Sequence, residues 1–184
     1  VVNRPGAGGV IGNTAAKDAP PDGLTMLSTH IGMEINRAMG RAAFGHEAFV
    51  PLGQTGQVDF VIAVPPDSRY RTLENLVAAM RAAPQGVSHA TNVASVAHLA
   101  AVAFQDAVGA EFLVVPAGGG GDRKPLLLGG HVDSALFGVS EILGEVRDGR
   151  IRVLATFGEQ RSARLPEVPT AEESGFRIAP MPAR

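Results

Sequence analysis

The sequence predicts an α/β fold built on a mostly parallel sheet, and three observations carry the prediction. Apolar, β-rich runs alternate with stretches of helical period, and Gly and Pro punctuate the junctions between them. The 184 residues, 45% hydrophobic and 18% charged, are enough to bury a core as one domain or two small ones.

Val1 and Val2 read as the end of a strand, followed by a glycine loop and a helix from Val10 to Lys17. Pro20-Pro21-Asp22-Gly23 breaks that helix, and Leu24 to Ser28 reads as the next strand. A short helix spans Met33 to Met39. Phe49 to Thr55 and Phe60 to Val64 read as two strands joined by the turn Gly56-Gln57, and Pro65-Pro66 marks a unit boundary. Thr72 can cap a helix from Leu73 to Ala83, with Glu74 favouring its positive end. Strands then fall at Val87 to Ala90, Phe112 to Val115, Val132 to Phe137 and Ile151 to Thr156. Between them lie a helix ending near Val108, a short one at Leu126 to Leu128 closed by Gly129-Gly130, and one from Glu141 to Arg147. Thr170-x-x-Glu173 is a capping box before a single turn closed by Gly175.

Composition excludes several function classes. A formal net charge of -2, one Tyr, no Trp and no basic block leave neither the positive stripe nor the stacking faces that nucleic acid or an anionic membrane needs. The absence of Cys removes disulfides, thiol nucleophiles and cysteine metal sites, and it fits an oxidising compartment. Direct membrane insertion is not expected: the run from Leu99 to Phe104 stops at Gln105 and Asp106, far short of the roughly 18 residues of a span.

Chemistry-bearing patterns are few. Gly6 to Gly12 fails the dinucleotide spacing, since the sixth position from Gly6 is Ile11; a turn that lets strand and helix pack closely is the preferred reading. Gly118 to Gly121, ahead of Asp122, Arg123 and Lys124, lacks the P-loop ending because Pro125 follows Lys124. Its amides can still converge as an anion nest, and a turn without ligand is the alternative. In Ser88 to Leu99 a strand ends in small hydroxyl and amide side chains before a helix begins, so Thr91, Asn92 and Ser95 sit beside unsatisfied helix N–H groups. Ser95 is either an N-cap or an anion contact there, and His98 either packs or faces the same pocket. The five His residues show no metal spacing, and Gly138-Val139-Ser140 starts a nucleophile elbow that lacks its last glycine. Ser140 reads as a helix cap, and no cofactor is called for.

Five segments in order, Asn3 to Gly12, Ala19 to Leu27, Leu126 to Asp133, Asp148 to Ala155 and Arg164 to Gly175, resemble the tripartite tricarboxylate transporter substrate-binding proteins, also called the Bug family. The resemblance implies a type II periplasmic-binding fold of two α/β lobes with mostly parallel sheets. It implies a periplasmic receptor, not an enzyme, that captures a small organic carboxylate and passes it to the membrane permease subunits of a transporter. Carried onto this sequence, the site residues are Ser28, Thr29, Thr91, Asn92, Ser95, His98, Gly119, Gly120, Gly121 and Ser140. Residues 1–64 are then part of lobe 1, 65–175 lobe 2, and 176–184 the start of the return to lobe 1.

The family's opening strand and Pro/Gly-rich loop, and the part completing the first lobe, are expected to lie beyond both ends of this chain. Self-association is one way to cover the apolar surface that such a lobe exposes. Val93 and Ala94 stand where many relatives have glycine, and Ala117 replaces a frequent aromatic residue, which restricts backbone approach to a ligand. Two other readings remain: an α/β enzyme holding a phosphorylated substrate at Gly118 to Gly121, and a remnant serving as a structural or interaction module.

Overall fold

The structure is a computed structural model that describes residues 1–4, 6–56 and 58–178. Gln57 of the expected turn, and most of the expected return segment, lie outside the described residues. These divide into two compact units, one of residues 1–56 with 94–96, the other of 58–93 with 97–178.

In the first unit, α1 (Val10–Lys17) and α2 (Gly32–Ala38) pack with the glycine loop. Buried Asn36 holds that loop, its amide donating to Gly8 O at 2.9 Å and to Gly32 O at 2.8 Å. The start of α1 is where the sequence puts it, but the strands expected at Val1-Val2, Leu24 to Ser28 and Phe49 to Thr55 are absent. A strand is stable only in a ladder, and no partner strand reaches these segments among the described residues. Their apolar side chains stay in water: Leu24 is 87%, Met26 77%, Val50 84% and Leu52 79% exposed.

The second unit holds the sheet. After β1 (Phe60–Val64) come α3 (Leu73–Ala82), β2 (Ser88–Thr91), α4 (Val96–Val108), β3 (Leu113–Pro116), α5 (Gly120–Leu128), β4 (Ser134–Gly138), α6 (Val139–Arg147) and β5 (Arg152–Thr156). The spatial order is β3-β2-β4-β1-β5. β2 runs parallel to β3 and β4, while β1 is antiparallel to both β4 and β5. β1 therefore lies inside the second unit's sheet, whereas the sequence set it before the Pro65-Pro66 boundary. Both of its faces are covered. Ile62 and Val64 join a core with α3 and α4, and Val61 and Ala63 join one with α5 and α6. This explains why Phe60 to Val64 is uniformly apolar rather than alternating.

The remaining elements follow the sequence within one or two residues, with two exceptions. Thr72 caps α3 as expected, its hydroxyl accepting from Asn75 N–H at 3.3 Å. The Thr170/Glu173 box is reciprocal, Thr170 N–H donating to Glu173 Oε2 at 2.8 Å and Glu173 N–H to Thr170 Oγ1 at 3.1 Å. The first exception is α5, which begins at Gly120 and runs through Pro125, so Gly120 and Gly121 are helical rather than loop. Two glycines and a proline give this segment little helical propensity; the burial of Leu127 in the α5/α6 core overrides it. The second is Ser140, which is not a cap. Gly138 is the N-cap of α6, and Ser140 is an exposed residue of its first turn.

Candidate functional site

Strand direction decides where ligand chemistry can sit. Thr91 pairs with Pro116, Ala90 with Ala135, Phe60 with Gly138 and Val61 with Thr156. The C-terminal ends of β2, β3, β4 and β5 therefore share one edge. Ala117 N–H donates to Thr91 O at 2.9 Å and Val139 N–H to Asp59 O at 3.1 Å, fixing the loops that leave it. β2 continues toward β3 on one side and has β4 on the other, which makes this edge a topological switch point, the usual place for a ligand crevice.

Thr91, Asn92, Gly119, Gly120, Gly121 and Ser140 all lie at this edge of the second unit. Thr91 is fully buried and its hydroxyl has no partner; Asn92 is half-buried. Gly119 caps α5 without a side chain; Asp122 N–H and Arg123 N–H already donate to Gly119 O at 3.0 and 3.1 Å, which leaves the Gly120 and Gly121 amides for an acceptor. His98 is half-buried on the first turn of α4. Ser28 and Thr29 belong to the first unit, where Ser28 is exposed and Thr29 Oγ1 donates to Asn13 Oδ1 at 3.4 Å. Ser95 clusters with the first unit.

Ala94, one of the two positions expected to carry glycine, has φ +65°. A Cβ in this left-handed region costs about 1 kcal/mol. Ala94→Gly is accordingly expected to raise stability by about 0.5 to 1 kcal/mol, read from the urea midpoint. A lowered midpoint would show that the strain is not there.

Two buried polar groups of the second unit escaped the sequence reading. His89, on β2, is buried completely. Ser134 Oγ donates its single proton to Ser88 O at 3.2 Å, so it accepts from His89 Nδ1–H at 3.0 Å and leaves Nε2 as a bare, buried acceptor. Burial, and after it the charges of Arg123 and His98, push the imidazole down to about 3. His89 is neutral and stacks on Phe112 at 4.4 Å. Arg123, in the first turn of α5, is only 5% exposed. Its guanidinium lies 5.4 Å from the Phe137 ring and 3.6 Å from Glu141 Oε2, and its Nε has no partner. The strand pattern Ser88-His89-Ala90-Thr91 was the available signal for His89, since a central strand with helices on both faces buries the side chains of both faces, here all but half-buried Ser88. Nothing in the sequence marks Arg123 as buried.

Other features do not compete. A hollow of about 550 Å³ is lined by Glu159, Gln160, Arg161, Thr170, Glu172 and Glu173. Its carboxylates repel an anion, and Arg161 is held by Glu173 at 2.9 Å. In the first unit, one ligand atom each from Glu34, His46 and Glu47 falls within 4.8 Å of the others. The sequence reading missed this grouping because it joins α2 to a turn farther along the chain. Its groups are engaged with one another and with Arg37: His46 Nδ1 meets Glu34 Oε1 at 2.9 Å and Arg37 meets Glu47 at 2.6 Å. The His46 backbone N–H, foremost, holds Glu34 below its ordinary range. No described helix is long and apolar enough to cross a membrane.

Comparison with known proteins agrees with this architecture. Residues 1–183 match the tripartite tricarboxylate transporter family receptor. Protein BugT of Bordetella pertussis is 33% identical over 183 residues, which cover 96% of this chain and 56% of BugT. The chain thus spans about half the length of the curated relatives it matches. A TctC solute binding protein from Polaromonas, solved without ligand, superposes with a TM-score of 0.78 at 29% identity, covering 96% of this chain and 61% of that one. MatC from Rhodopseudomonas palustris with bound malate has a TM-score of 0.80 at 21% identity, over 97% and 66% of the two chains, a likeness of fold.

Proposed function

Because the chain belongs to the tripartite tricarboxylate transporter receptor family, whose model it matches over residues 1–183, we propose that it serves as a periplasmic receptor for a small organic carboxylate, delivering it to membrane permease subunits. The observation that carries this reading is the convergence at one sheet edge of the α5 and α6 N-termini with Thr91 and Asn92. Helix N-termini favour an anion through open N–H groups and the helix dipole, by up to about 2 kcal/mol in partly buried geometry. Hydrogen bonds to a charged carboxylate add roughly 1.5 to 3 kcal/mol each. The reading is of a binding site without bond chemistry. Against the phosphorylated-substrate alternative, Lys124 beside the glycine run is tied to Glu145 at 2.9 Å and is not free to meet a phosphate.

A panel of malate, citrate, glutamate and benzoate tests the reading by thermal shift. The ligand that fits is expected to stabilise the protein by about 2.7 kcal/mol at a hundredfold excess over Kd. Asn92→Ala should weaken its binding about fivefold while moving the urea midpoint little, because Asn92 is only half-buried. Stability lost without affinity lost would assign Asn92 to the fold instead, and a panel with no response would overturn the carboxylate assignment.

A further inference from the structure

We propose that Arg123 is the carboxylate anchor of this edge, and that Glu141 occupies it as an internal stand-in which a ligand carboxylate displaces. The inference rests on the receptor reading above and names the residues that would select the ligand.

Arg123 stands where a cation is disfavoured twice. It is buried, which penalises charge, and it lies in the first turn of α5, where the helix dipole is positive. A nearby anion offsets both effects, and Glu141 is the anion present. Its grip is loose: 3.6 Å to the guanidinium, with the glutamate side chain 39% exposed and the arginine side chain 6% exposed. Arg123 Nε is buried without a partner while Nη2 faces Glu141, so only one arm of the planar fork that suits a bidentate carboxylate is engaged.

The position Glu141 takes is shaped for a carboxylate. Oε1 accepts the Gly138 N–H, a long contact of 3.4 Å. Oε2 lies so close to Gly120 that a Cβ there would sit 2.1 Å from it. The group thus rests in a cradle between the starts of α5 and α6, and that cradle exists because residue 120 has no side chain. Glu141 can swing into water at little cost, since it is already exposed. An incoming planar carboxylate gains the same cradle and the guanidinium together. A ligand carrying one carboxylate to spare for Arg123 is favoured over an uncharged analogue of the same shape.

Malate titrations of the wild type, Glu141→Gln, Arg123→Gln and the double variant test this, with fold checked by circular dichroism. Removing the stand-in in Glu141→Gln is expected to tighten malate binding about fivefold, and Arg123→Gln to weaken it at least about tenfold. The double variant should bind no tighter than Arg123→Gln. If Arg123→Gln does not fold, Arg123→Lys, which keeps the charge and loses the fork, is expected to weaken binding about threefold. Binding by the wild type that is indifferent to both positions overturns this inference and leaves the receptor reading standing. Binding by Glu141→Gln alone supports the anchor and overturns the reading of the wild type as a malate receptor. If neither binds at millimolar malate, the anchor is overturned, and the rest of the panel decides the receptor reading separately.

Discussion

Acidification from pH 7 to pH 4 is expected to remove about 3 kcal/mol of folding stability through His89. The imidazole is pushed down to about 3 in the folded protein, by burial above all, and returns to about 6.5 when the chain unfolds. Between those values the unfolded state binds a proton that the folded state does not. Stability therefore rises with pH across this window, is fully present above pH 6.5, and is lost progressively as pH falls toward 3. Glu34, Glu47, Glu145 and Glu173, all held below the ordinary carboxylate value of 4.5 by hydrogen bonds, add their own loss at lower pH. The interval from pH 6.5 to 5 thus isolates His89. Urea unfolding at half-unit steps should give a slope that rises from about 0.7 kcal/mol per pH unit at pH 6.5 to about 1.3 at pH 5, and His89→Gln should flatten it. Equal slopes in the two proteins would remove His89 as the cause.

Phe104→Ala is expected to cost about 4 kcal/mol, the largest effect of any single truncation considered. Phe104 has no exposed surface and joins α4 to the sheet through stacked contacts with Phe112 at 5.8 Å and Phe157 at 5.5 Å. Phe112 in turn stacks on His89, so the truncation removes one end of a stack that reaches the buried imidazole. Chemical denaturation at pH 7 checks the figure. A loss below about 1.5 kcal/mol would mean that α4 collapses into the gap and that the stack is not what holds it.

Much of the second unit was legible because its elements carry their own signals. Thr72 and the Thr170/Glu173 box announce their turns through side chains that bond to their own backbone, and Phe60 to Val64 is apolar throughout because both its faces are covered. The first unit was less legible. Leu24 to Ser28 and Phe49 to Thr55 have strand composition, but a strand depends on a partner that no local pattern supplies. At the site, the helices after β2 and β4 were read to begin within two residues of where they do, whereas the one after β3 was expected only at Leu126. Gly120 was misplaced because helical propensity cannot see Leu127 being pulled into a core. Arg123 was missed for a related reason: an arginine between Asp122 and Lys124 reads as a solvated face, and only the packing against Phe137 reveals otherwise.

The placement of β1 has a kinetic consequence. Val61 pairs with Phe137 on one side and Thr156 on the other, so the strand that lies between β4 and β5 leaves the ribosome long before either neighbour. At ordinary synthesis rates of about 5 to 20 residues per second, this apolar segment waits on the order of 5 to 20 seconds for its partners. During that interval Phe60 to Val64 is an unpaired, uncharged strand of the kind that seeds intermolecular association. Soluble yield during synthesis should therefore fall as the expression rate, and with it the concentration of nascent chains, rises, even where the finished fold is stable.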